Sequence, residues 1–94
     1  MTKEILKDLV NEVLNKSEDV TIRLNLEDNG KNDTLYIRNA LMVQIKNDVL
    51  IIDDKLSEYN DFVLTNTRYG VRLEYIKLLE IYDTEYHTKL LLTF

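Results

Sequence analysis

Ninety-four residues bound one small domain, and the absence of cysteine excludes disulfides, zinc–thiolate centres, iron–sulfur clusters and thiol nucleophiles. Seventeen acids against twelve bases give a net charge of −5, and the bases, from Lys3 to Lys89, never cluster. No basic stripe is encoded that releases counterions from a phosphate backbone, so direct DNA binding is not expected.

The opening stretch MTKEILKDLVNEVLNK carries a charge every few residues, unlike the apolar core of a secretory signal. No apolar run approaches the ~18 residues of a membrane span. A cytoplasmic protein is expected, with no membrane partner. Within this stretch Ile5, Leu6, Leu9, Val10, Val13 and Leu14 form one apolar stripe, predicting an amphipathic helix within residues 1–17. Thr2 is its predicted N-cap. Glu4, Asp8 and Glu12 follow at i, i+4 and i+8 on the polar side, an acidic ridge that weakens the isolated helix and makes it depend on docking.

From Val20 the period falls to two, and residues 19–94 read as antiparallel sheet. Val20, Ile22, Leu24 and Leu26 share one face and Thr21, Arg23, Asn25 and Glu27 the other. Asn29-Gly30 supplies the φ > 0 pair of a tight hairpin. The next strand is predicted to run unusually long, with Leu35, Ile37, Asn39, Leu41, Val43 and Ile45 on one face; it must bend or break near Asn39-Ala40. Asn47-Asp48 makes a second tight turn, which sets Lys46 opposite Val49, Ile45 opposite Leu50 and Val43 opposite Ile52. Leu50 and Ile52 then face the core while Val49 and Ile51 lie on the other side and need covering.

Residues 55–61 read as a polar loop, 62–66 as a short strand, and 66–70 as a turn with Gly70 in the left-handed region. Val71, Leu73 and Tyr75 alternate. Residues 76–82 fit a strand or a short helix, and strand is preferred because Tyr86, Thr88, Leu90, Leu92 and Phe94 alternate after a turn at Asp83-Thr84. The predicted fold is α+β: an N-terminal amphipathic helix followed by a five- to six-stranded antiparallel, strongly bent meander sheet or small open barrel. In element order the barrel version, carried by VTIRLNL, the Asn29-Gly30 turn and VRLEYIKLLEI, resembles the Sm-like proteins. Their glycine-bearing strand and aspartate–asparagine uridine pocket have no match here; Arg38-Asn39 is the nearest approach.

Catalytic equipment is sparse. Two isolated glycines cannot cradle a phosphate, and the lone His87 reads as a surface side chain. Asp53, Asp54, Glu58 and Asp61 cluster after a strand but lack the spacing of a calcium loop and read as a solvated connection. No cofactor, metal or enzymatic activity is expected. Six tyrosines favour an interface role, with Tyr36, Tyr59, Tyr69 and Tyr82 expected outward and Tyr75 and Tyr86 half-buried. The expectation is a protein-binding module that inhibits a host macromolecule, a nucleic-acid-binding protein among the candidates. Its partner-facing residues would be Glu4, Asp8, Glu12, Asp53, Asp54, Glu58, Tyr59 and Tyr69. In composition (compact, cysteine-free, rich in Lys, Asn, Ile and Asp) the chain resembles small acidic phage or mobile-element accessory proteins, including anti-CRISPR inhibitors. That resemblance implies acidic side chains set into a basic groove of the target. The alternative is an Sm-like ring that binds RNA or a small ligand. Open sheet edges and the apolar Val49 and Ile51 favour a homodimer.

Overall fold

The computed structural model describes the backbone of residues 2–54, 57–60, 63–65 and 68–94, and side chains over 2–54 and 68–94. Helix α1 (Lys3–Lys16) begins where the Thr2 hydroxyl accepts from the Ile5 amide at 3.3 Å. Its stripe of Leu6, Val10 and Leu14 is buried. Strands β1 (Thr21–Asp28), β2 (Lys31–Arg38), β3 (Ala40–Lys46) and β4 (Val49–Asp54) follow, then β5 (Ser57–Asn60), β6 (Val63–Thr65) and β7 (Arg68–Arg72). A single 3₁₀ turn η1 (Leu73–Tyr75) leads into β8 (Ile76–Tyr82) and β9 (Thr88–Thr93).

The fold is α+β, with seven of the strands in two antiparallel sheets, ordered β2-β1-β8-β9 and β3-β4-β7; β5 and β6 form a separate two-stranded ribbon. The single meander of five to six strands, in its sheet or barrel form, is thereby corrected. The long strand is the reason. It breaks at Asn39, whose φ of 56° lies in the left-handed region that asparagine tolerates better than most residues. The Asn39 amide donates to the Val20 carbonyl at 3.0 Å, so the corner is tied to the start of β1, and the chain leaves one sheet for the other. The second passage between sheets is η1.

Register explains the core. Leu35, Leu24, Leu79 and Leu92 stand opposite one another across all four strands of the first sheet, and Ile37, Ile22, Ile81 and Leu90 form the next row. In the second sheet the inner rows are Val43–Ile52–Tyr69 and Ile45–Leu50–Val71. Together with the helix stripe these side chains make one continuous cluster, a burial that supplies most of the folding free energy.

Both asparagine-led turns form as predicted. Asn29 and Gly30 have φ of 50° and 79°, Asn47 and Asp48 have φ of 50° and 63°, and the predicted pairs 46–49, 45–50 and 43–52 are all present. Three local expectations are corrected. Leu41 is exposed, because a bulge between Ala40 and Met42 leaves it without a partner on β4 and turns it outward. The polar stretch 55–61 holds strand β5. Gly70 sits in β7 opposite Ile51, extended instead of left-handed. Val49 and Ile51, on the side that needs covering, are half-buried within the chain.

The outer strand β3 is closed by the helix. The Asn11 side chain donates to the Val43 carbonyl at 3.0 Å and accepts from the Val43 amide at 2.9 Å, reproducing the bonds of a neighbouring strand. Asn11 reads in sequence as an ordinary residue of the polar helix face.

Candidate functional site

Among the described residues, six other than glycine have positive φ. Three of them, Asn29, Asn47 and Asp48, are accounted for by the two tight hairpins. The remaining three, Asp19 (53°), Asn39 (56°) and Tyr86 (64°), come from separate parts of the chain and line one cleft of about 310 Å³. Backbone held in this region costs about 1–3 kcal/mol per residue and tends to gather at ligand sites. A bulky tyrosine there is a stronger outlier than an asparagine.

The cleft lies at one end of the outer face of the four-stranded sheet. Register delivers Arg38, Thr21 and Tyr82 to it side by side, since Thr21 is opposite both Arg38 and Tyr82. Asp19, Asn39, Asp83, Thr84 and Tyr86 complete the wall. Tyr86 is 81% exposed, and its ring stacks on Tyr82 with centroids 5.8 Å apart and planes 29° apart. The expectation of a half-buried Tyr86 is corrected: it is a displayed aromatic held in one place.

What holds it is Asp83. Its Oδ1 accepts from the amides of Glu85 and His87, both at 2.9 Å, and its Oδ2 lies 3.2 Å from His87 Nδ1 and 3.7 Å from Lys89 Nζ. Backbone bonds Asp83 N–H to His87 O and Tyr86 N–H to Asp83 O, each 3.0 Å, close the turn. The His87 amide, opposed by partial burial and assisted by the Glu85 amide and the His87 ring, keeps the Asp83 carboxyl below the usual aspartate range. A depressed carboxylate contributes order above its unfolded pKa, and that order is lost as pH falls through the folded value. The side-chain carboxyl carbon resonance of Asp83 is therefore expected to hold its ionised position through about pH 4 and move only below it. Movement centred above that pH in an NMR titration contradicts the assignment.

Arg38, in contrast, forms no ion pair among the described residues, and Asp19 is exposed. The cleft thus presents an aromatic face, a guanidinium with no ion pair among the described residues, and an exposed carboxylate. The larger depression of about 410 Å³ at Lys3, Asn47, Asp48, Arg72 and Glu74 differs, because its charges are already matched in the pairs Lys3–Asp48 and Arg72–Glu74. Comparison with protein families, characterised proteins and solved structures gives no match for this chain.

The residues singled out from the sequence are dispersed. Glu4, Asp8 and Glu12 are exposed on α1, where Glu12 bonds Lys16 at 2.8 Å and Glu4 lies 3.8 Å from Lys7. The hydrogen bond and charge of Lys16 lower the Glu12 pKa. Asp53 is corrected from a surface acid: it is only 4% exposed and holds Arg68 Nε at 2.6 Å. Asp54 is half-buried opposite Ala40. Tyr69 is corrected from outward to half-buried, packed on the core in register with Ile52. The side chains of Glu58 and Tyr59 lie outside the described residues. Tyr36 is outward as expected, at 56% exposure. No group of three metal-ligating side chains occurs among the described residues, and no helix there is long and apolar enough to cross a membrane.

Proposed function

We propose that this chain is a small protein-binding module acting as an inhibitor, with the Tyr82–Tyr86 cleft as its contact centre and a basic surface on its partner. The observation that carries this reading is the convergence of three left-handed residues on a cleft that displays an exposed tyrosine stacked on a second one. A rigid aromatic with a polar tip gives contact area at small entropic cost. Its open face and the Asp19 carboxylate suit an arginine or lysine of the partner. The net charge of −5 and the exposed Glu4, Asp8 and Glu12 favour encounter with a basic protein. The partner's basic surface is, on this reading, one that otherwise meets nucleic acid.

The test compares wild-type and Tyr86→Ala protein as baits in the host lysate, followed by measurement of Kd for whatever the wild type captures. Loss of at least about tenfold in affinity is expected, the size of a central aromatic anchor. Equal affinity of the two baits rules the cleft out. A second reading, an RNA-binding Sm-like ring, draws on the helix–bent strand–3₁₀ order and on Arg38, Asn39 and the tyrosine pair at the cleft. Salt-sensitive binding of a single-stranded oligouridylate, measured by fluorescence anisotropy and lost in Arg38→Ala, would favour that reading instead.

A further inference from the structure

The outer strands of the two sheets are β2, β9, β3 and β7. An outer strand presents unpaired amides and carbonyls, and proteins guard such edges with charge or with a covering group. Asn11 covers β3. Exposed Lys31, Asp33 and Arg38 guard β2, and Arg68 and Arg72 stand on β7. Strand β9, TKLLLT, carries only Lys89, and Leu91 is 53% exposed at its middle, with Phe94 47% exposed just beyond its end.

Hydrogen-bond parity fixes which groups of β9 are open. The Phe94 amide donates to the Lys77 carbonyl at 3.0 Å, so Phe94 bonds inward to β8. The register from Leu90 to Thr93 against Ile81 to Leu78 is unbroken. Bonding alternates along an antiparallel pair, so Leu92 and Leu90 also bond inward, while Leu91 and Thr93 direct their amides and carbonyls to the open edge.

We infer that a second copy of this chain pairs on that edge, β9 against β9 antiparallel, with Leu91 opposite Leu91 on the two-fold axis. The strand is complementary to itself in this register. Leu90 then meets Leu92 on the core side, which keeps the inner faces of the two four-stranded sheets continuous, and Lys89 meets Thr93. The two Lys89 residues stand four positions apart along the pair, about 13 Å, beyond the ~8 Å screening length at physiological salt. Leu91 falls at a hydrogen-bonded pair, so each of its amides finds the partner's carbonyl. A register displaced by one residue sets core-facing leucines against outward ones and is excluded by the pleat. The result is an isologous dimer with one eight-stranded sheet. The paired strand starts at Thr88, beside Tyr82 at the margin of the cleft, and its centre at Leu91 lies further along β9.

Three measurements on the full chain test this. Sedimentation at about 100 µM should give twice the monomer mass of 11.1 kDa. Leu91→Lys should sediment as a monomer with an unchanged circular dichroism spectrum, because it sets two like charges face to face on the axis without touching an internal bond. Leu91→Cys should form a disulfide-linked dimer on mild oxidation, whereas Tyr36→Cys, equally exposed on another strand, should not. The chain has no cysteine to confuse the result, and Cα atoms ~5.5 Å apart in such a pair suit a disulfide. A wild type that stays monomeric, a dimer retained by Leu91→Lys, or equal cross-linking of the two cysteine variants each overturns the inference.

Discussion

Replacing Leu79 by alanine is expected to cost about 2–5 kcal/mol of stability, the range for a fully buried leucine truncated in a packed core. Leu79 has no exposed surface and sits in β8 between Leu24 and Leu92, at the centre of the four-leucine row. The strands on both sides are fixed by their own pairing, so neighbours cannot collapse into the space. Against the 5–15 kcal/mol that such domains possess, this is a large fraction. A fall in Tm of roughly 8 °C or more should follow in a thermal melt. Leu91→Ala, one strand away on the opposite face, is expected to cost no more than about 0.5 kcal/mol within the monomer. The contrast is the informative part. Equal effects of the two truncations, measured at a dilution where the chain is monomeric, would mean that the pairing of β8 with β9 is displaced by one residue.

The second large effect is expected from Asn11→Ala. This change removes both bonds to Val43 and leaves a partly buried amide and carbonyl without partners, a loss of about 1–3 kcal/mol. It also uncovers the outer side of β3, so the variant should aggregate on warming where the wild type does not. Urea unfolding measures the first consequence, and hydrogen exchange at the Val43 amide the second. A Val43 amide equally protected in wild type and variant would show that something other than Asn11 guards this strand.

Local physics made much of the fold readable in the sequence. The helix, the two asparagine-led hairpins and the pairs between β3 and β4 depend on neighbours a few residues apart, and each was derivable from spacing and turn chemistry. The break at Asn39 was readable too, because a strand of that length must bend and asparagine accepts the corner. The division into two sheets was not. It depends on where β8 returns, and nothing local tells Ile76–Tyr82 to lie beside β1. The same limit governs the side chains. Alternation assigns a face only while the register is unbroken, so one bulge sent Leu41 outward, and the distant pairing of β7 with β4 turned Tyr69 inward. Asp53 looked like one acid in a solvated run, yet it is buried and holds Arg68. Of the cleft, Arg38-Asn39, the Asp83-Thr84 turn, Tyr82 and Tyr86 were each noted in the sequence, but nothing there brought them together. Asp19 and Tyr86 reach it from opposite ends of the chain, and the one local clue was an aspartate four residues before a histidine in a turn.

The distant partnership of β1 and β8 bears on how the molecule assembles. Leu26 meets Ile76 and Thr21 meets Tyr82, so this pairing closes nearly the whole intervening chain. The hairpins zip on a microsecond scale, but so long a closure is slow. During synthesis the edge of β1 that takes β8 stays unpaired, and the core rows of the sheet stay incomplete, until β8 leaves the ribosome. A fragment stopped before Ile76 is accordingly a sticky one, and proteolysis or chaperone capture should act on it far more readily than on the finished chain.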